Sequence, residues 1–214
     1  MKSSIITVVV LCLAVTGGAI FYFGHHASSR AIDALVSPQS SYREKQASWK
    51  QLQDAGGLDQ AIAALKAGMA KHPNNAAYPA ELGVAYINKV ITAKKSGDYN
   101  EIAILGMQAD QSFDAALKLD PTNWESQYYK AASLAYWPPE MNKGPEVIQR
   151  FSSLIDQQEA MPPQPQFAQT YVLLGEQYQK AGQPDQAVKV WRRGAAAFPG
   201  DPALQKKITN PTGQ

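Results

Sequence analysis

Leu173–Pro199 reads LLGEQYQKAGQPDQAVKVWRRGAAAFP, two runs of small and apolar residues at helical spacing, interrupted once by Ala181-Gly182-Gln183-Pro184-Asp185. Gly182 with Pro184 two residues on breaks a helix, and Pro followed by Asp suits the opening turn of the next one, where the missing N–H costs nothing and a carboxylate faces the positive helix end. The stretch therefore predicts two antiparallel helices joined by a tight turn. Gly175 and Ala187 are small enough to let the helices approach closely, Tyr171, Tyr178 and Trp191 fill the space on either side, and Pro199 ends the second helix.

The same order of residues recurs upstream, which marks an array rather than one hairpin. Gly56-Gly57 followed by Ala61, Leu65, Gly68 and Pro73 gives the turn and second helix of a first unit; its first helix, around Ser48 to Leu52, has Trp49 where the pattern wants Gly. Leu82-Gly83 and Tyr86 open a second unit, closed by Ala109, Phe113, Ala116 and Pro121. That unit has 14 extra residues, with the Gly97-Asp98-Tyr99 turn seven positions late and Ala109 a further seven late. Both of its helices are thus longer by about two turns, and the hairpin should project beyond its neighbours. A third unit is looser: ESQYYKAASLAYW supplies Tyr128 and Ala132, PPEMNKGP a loop, and the following helix Val147 and Phe151 facing inward after Pro145. Met161–Gln166 (MPPQPQ) reads as an extended connection, and Ala203 to Ile208 as a short cap.

On these residues the sequence resembles the tetratricopeptide repeat family over roughly Tyr42 to Ile208. The resemblance implies an all-α, right-handed α-solenoid of about four helical hairpins, whose first helices line a concave groove that holds a peptide or helix of a partner protein. Mapped by helical position, that face carries Ala80, Val84, Ile87 and Asn88, then Tyr129, Ser133, Tyr136 and Trp137, then Gln169, Val172, Glu176 and Gln179. The candidate partner-binding residues are Asn88, Tyr129, Tyr136, Trp137, Glu176 and Gln179. Tyr129 and Tyr136 are preferred as contacts because aromatics give large contact area at low entropic cost, and packing between first helices is the equal alternative. Tyr128, Phe113 and Trp191 are expected in the core. Family members that hold a C-terminal carboxylate do so with inward Lys and Asn one turn apart; the matching pairs Ala80/Val84, Tyr129/Ser133 and Val172/Glu176 cannot form that clamp.

No catalytic chemistry is legible. The 214 residues carry a net charge of +2 with scattered Lys and Arg, which argues against a nucleic-acid surface. Cys12 is the sole cysteine, and there is no HExxH, phosphate loop, GxSxG or paired-Cys motif. His25 and His26 read as interfacial residues and His72 as a helix-end residue; Asp110 and Asp114 fall one turn apart, with Asp114 explained by Lys118 four residues on. The expectation is a non-enzyme with no cofactor or metal.

Ser4–Gly24 (SIITVVVLCLAVTGGAIFYFG) carries no charge and is long enough to cross a ~30 Å hydrocarbon core. The expected organisation is 1–26 as transmembrane anchor or signal, 27–44 as tether with a weak apolar patch (Ile32, Leu35, Val36) that allows a short helical turn, 45–208 as repeats and 209–214 as tail. This layout suggests a single-pass membrane protein with its repeats in the periplasm, a scaffold for envelope protein assembly or maturation. The alternatives are an accessory subunit of a membrane enzyme complex, exposing Ile102, Ile104 and Leu105 at the hairpin tip, or a self-associating homo-oligomer.

Overall fold

Helix ends in the computed structural model follow from single residues. The structure describes residues 29–137 and 139–211; the expected anchor at 4–24, with His25 and His26, lies outside the described residues. Ser41 and Glu44 form a reciprocal box that starts α2 (Tyr42–Asp54): the Glu44 N–H donates to Ser41 Oγ at 3.3 Å and the Ser41 N–H to Glu44 Oε2 at 2.8 Å. Asp98 caps α5 (Tyr99–Leu119), Asn123 caps α6 (Trp124–Leu134) and Asp201 caps α10 (Pro202–Thr209), each side chain accepting an N–H three residues on. The remaining elements are α1 (29–36), α3 (Leu58–Lys71), α4 (Ala77–Ser96), α7 (Gly144–Glu159), α8 (Ala168–Lys180) and α9 (Pro184–Ala197), with 3-10 turns at Pro139–Met141 and Pro165–Phe167. Among the described residues there is no strand.

The helices pair as α2/α3, α4/α5, α6/α7 and α8/α9, and α10 packs on α8 and α9 as the cap expected at Ala203 to Ile208. Three of the four hairpin turns hold a left-handed glycine, Gly56, Gly97 and Gly182, with φ of 66°, 75° and 70°; Asn142, at φ 47°, stands in the loop of the third. The second hairpin is long, with 20 residues in α4 and 21 in α5 against 13 in α8 and 14 in α9.

One packing device recurs. Phe113 lies on Gly83 and Trp191 on Gly175, so close that a Cβ on either glycine would stand 2.4 Å from Phe113 Cε1 or 2.1 Å from Trp191 Nε1. Gly83→Ala is accordingly expected to lower stability by about 1–3 kcal/mol, measured by chemical denaturation, because the aromatic ring has no room to retreat. Phe113, Trp191 and Tyr128 are buried as expected, in two apolar clusters that Tyr129 touches together.

Several expectations are corrected. The stretch read as a tether is helical over 29–36 and buries Leu35 completely, because Ala31, Ile32, Leu35 and Val36 fall on one helical face that joins the first cluster. The proline-rich connection ends in a 3-10 turn that buries Phe167. Asp114 pairs with Lys130 rather than being explained by Lys118: Lys130 is a residue only 5% exposed, and its ammonium lies 3.1 Å from Asp110 Oδ2 and 3.0 Å from Asp114 Oδ2, pinning α6 to α5. Leu105 is buried inside the long hairpin, whereas Ile104 is exposed.

A second ionic cluster ties three hairpins together. Lys45 on α2 reaches Glu81 on α4, at 3.0 Å, and Glu125 on α6, and Trp49 Nε1 donates to Glu81 Oε2 at 2.8 Å. Trp49, the residue out of pattern in the first unit, thus reaches a carboxylate that no short-range motif reveals. Burial pushes the Glu81 carboxyl up to about 7 against the pull of Lys45, with Glu125 adding to the rise. For Lys45, burial acts downward and the two carboxylates outweigh it, holding the ammonium above its ordinary value.

Candidate functional site

The prolines at 138 and 139 follow α6 closely, and proline lacks the N–H a helix interior needs and restricts the residue before it. α6 is only 11 residues long, so the 20-residue α4 beside it runs on past its end. The part of α4 that overhangs presents Ile87, Val90, Ile91 and Lys94, spaced three and four apart along one face. This stripe, with Ile102 and Met107 from α5, forms one wall of a cleft of about 550 Å³. The C-terminal half of α6 and the turn after it give the floor, with Tyr129, Tyr136 and Trp137, and α8 gives the other wall, with Leu173, Glu176 and Lys180.

The lining is apolar and open. Tyr136 is 72% exposed, and Ile91, Met107 and Met141 are each about half exposed. Grouped apolar side chains left in water at this density mark a binding surface more often than a free one. Charge sits at the edges. Lys94 Nζ stands 4.8 Å from the centre of the Tyr136 ring, a cation–π contact, and Glu176 is paired at 2.8 Å with Lys207 of α10.

The six candidates separate. Tyr129, Tyr136, Trp137 and Glu176 come together in the cleft; Asn88 and Gln179 stand outside its lining. Asn88 Oδ1 accepts from Gln53 Nε2 at 2.8 Å, and its buried Nδ2 meets no acceptor among the described residues. Gln179 Nε2 donates to the carbonyl of Pro211. Tyr129 is largely structural: its ring stacks on Phe113 at 6.0 Å, and its hydroxyl accepts from Gln46 Nε2 at 2.8 Å and shares a hydrogen bond with Tyr42. Burial drives the phenols of Tyr128 and Tyr129 well above the ordinary tyrosine value, so both stay neutral.

The mapped concave face is also corrected in part. Ala80, Val84 and Val172 are buried between packed helices, while Ile87, Ser133 and Gln169 line the cleft. The residues that position mapping missed include Val90, Ile91, Lys94, Ile102, Met107, Leu173 and Lys180. A signal for the α4 members was present: the three-four apolar spacing of α4 continues beyond the length at which the next first helix stops. His72 closes α3 and stacks on Tyr78 at 5.4 Å, and among the described residues no three of His, Cys, Asp and Glu gather as a metal site requires.

Stacked antiparallel helical hairpins with a cap at the end define an α-solenoid. Residues 168–208 match the family model described as tetratricopeptide repeat, so the last hairpin and its cap are such a repeat. No curated protein matches the chain by sequence. Among solved structures, TTC0263, a thermophilic tetratricopeptide repeat protein of Thermus thermophilus, aligns with a TM-score of 0.59 and 14% identity over 75% of each chain. A crystal structure of MamA aligns with a TM-score of 0.55 and 21% identity, over 74% of this chain and 78% of that one. MamA 41-end from Desulfovibrio magneticus RS-1 gives 0.54 and 19%, over 74% and 76%. These likenesses show the fold, all-α and of tetratricopeptide type. Among the described residues no helix is long and apolar enough to cross a membrane.

Proposed function

We propose that the chain is a non-catalytic scaffold that binds a partner protein in the cleft between α4/α5, α6 and α8. The observation that carries this reading is the cleft itself, an open apolar hollow on the side of the array formed by successive first helices. The uncharged run Ser4–Gly24 supports an anchor that holds the repeats at a membrane, outside the cytoplasm, where confinement raises the local concentration of whatever they bind. Envelope protein assembly or maturation is the setting that this arrangement fits.

A photo-crosslinking residue in place of Tyr136, in intact cells, tests the reading against a control at exposed Lys189. One dominant protein captured from Tyr136 and absent from Lys189 is the expected result; identical capture at both sites, or none, would reject it. A second reading, an accessory subunit packed into a larger complex, draws on the outer tip of the long hairpin, where Tyr99 is 82% and Ile104 52% exposed outside the cleft. A crosslinker at Tyr99 that alone captures a partner decides for that reading.

A further inference from the structure

We propose that the cleft seats one amphipathic α-helix of a partner, apolar side inward and acidic residues along its edges. This rests on the scaffold reading and names the chemistry of the segment bound. The first ground is backbone polarity. The walls given by α4, α5 and α8 are helical, their backbone groups bonded along each helix except at its ends, so among the described residues the cleft presents no strand edge to an incoming chain. An extended segment would carry an N–H and a C=O per residue against Ile87, Val90, Ile91 and Leu173. The polar groups at hand are single side chains, Tyr136, Trp137, Gln169 and Gln177 among them, rather than a continuous row of backbone partners; Ser133 Oγ already donates to Asp110 Oδ1 at 3.0 Å, and the Asn88 amide lies outside the lining. Each backbone group buried without a partner costs about 1–3 kcal/mol, so extended occupants are strongly disfavoured. A helix satisfies its own backbone and offers only side chains, at the three-four spacing that the α4 stripe itself displays.

The second ground is charge. Lys94 stands on the α4 wall and Lys180 at the last turn of α8, both exposed, and neither forms an ion pair among the described residues. The carboxylate in the lining, Glu176, is already neutralised by Lys207. The rim is therefore cationic on both sides of an apolar floor, which complements carboxylates flanking an apolar helix face and repels a basic one.

The test is selection of random 16-residue peptides on the full-length chain in lipid nanodiscs, with Ile91→Glu and Met107→Glu chains as counterselection. Both positions are half exposed, so the fold absorbs the substitutions, which circular dichroism verifies. Cleft-dependent binders are expected to carry apolar residues at i, i+3, i+4 and i+7 with Asp or Glu beside them, to become helical when bound, and to bind Ile91→Glu about 10-fold more weakly. Exchanging their acidic residues for Lys should weaken binding about 5–10-fold, and a Lys94→Glu/Lys180→Glu chain should restore it. Binders that are proline-rich or basic, no binder that depends on Ile91 or Met107, or a Tyr136 crosslink to lipid or to a second copy of the chain would each overturn the proposal. Capture of one partner protein from Tyr136 alongside proline-rich or basic binders leaves the scaffold standing and removes only the helix; loss of both removes the scaffold.

Discussion

Trp191→Ala is expected to destabilise the last hairpin by about 3–5 kcal/mol and to unfold it ahead of the rest. The indole is fully buried, lies against Gly175, and donates through Nε1 to the Val172 carbonyl at 3.1 Å; Lys207 of the cap stands 5.2 Å from its ring centre. Its removal empties the space between α8 and α9 and leaves that carbonyl without its side-chain donor. In a stacked array each hairpin contacts only its neighbours, so the loss stays local. Hydrogen exchange should show α8, α9 and α10 losing protection while α4 and α5 keep theirs. Equal loss throughout would mean that the four hairpins unfold as one unit.

Glu81 gives the second large effect. Glu81→Ala leaves Trp49 Nε1 without its acceptor and Lys45 with one carboxylate instead of two, at a cost of about 2–4 kcal/mol at neutral pH. Glu81→Gln behaves differently, because an amide oxygen still accepts from Trp49 and position 81 no longer carries a titrating group. The folded carboxyl titrates near 7 and the free one near 4.5, so between those values the native state holds a proton that the unfolded chain has released. Stability from this group is therefore greatest below pH 4.5, falls as pH rises to 7, and is level above. Between pH 4.5 and 8 the parent should lose about 3 kcal/mol relative to Glu81→Gln, read from paired denaturation curves. Parallel curves across that range would show that Glu81 is not held out of water.

How much of this was legible varies with the range of the interaction. Hairpin order, turn positions, the close approach at small residues and the two added turns of α4 and α5 rest on residues within one hairpin, where spacing dictates geometry. The cleft was legible only in part: Ile87, Tyr136 and Trp137, mapped to the side of the first helices, stand in its lining, but Val90, Ile91 and Lys94 of the α4 wall were not mapped. The α4 wall is exposed because α6 stops short, and that comparison between two units is absent from either unit's own pattern. Asn88 and Gln179 were mapped to the groove by helical angle alone. Gln53 and Pro211 bond them instead, from segments 35 and 32 residues away.

The sequence by itself determined an array of helical hairpins, its one projecting member and its terminal cap, since 3.6-residue periodicity, glycine turns and prolines act over a few residues. The tertiary structure alone decided which faces stay in water. It buried Ala80, Val84 and Val172, drew Lys130 onto Asp110 and Asp114, and joined Trp49, Lys45 and Glu125 around Glu81. Those outcomes depend on how long each neighbouring helix is and how it stacks, and burial is a property of the stack rather than of any one helix.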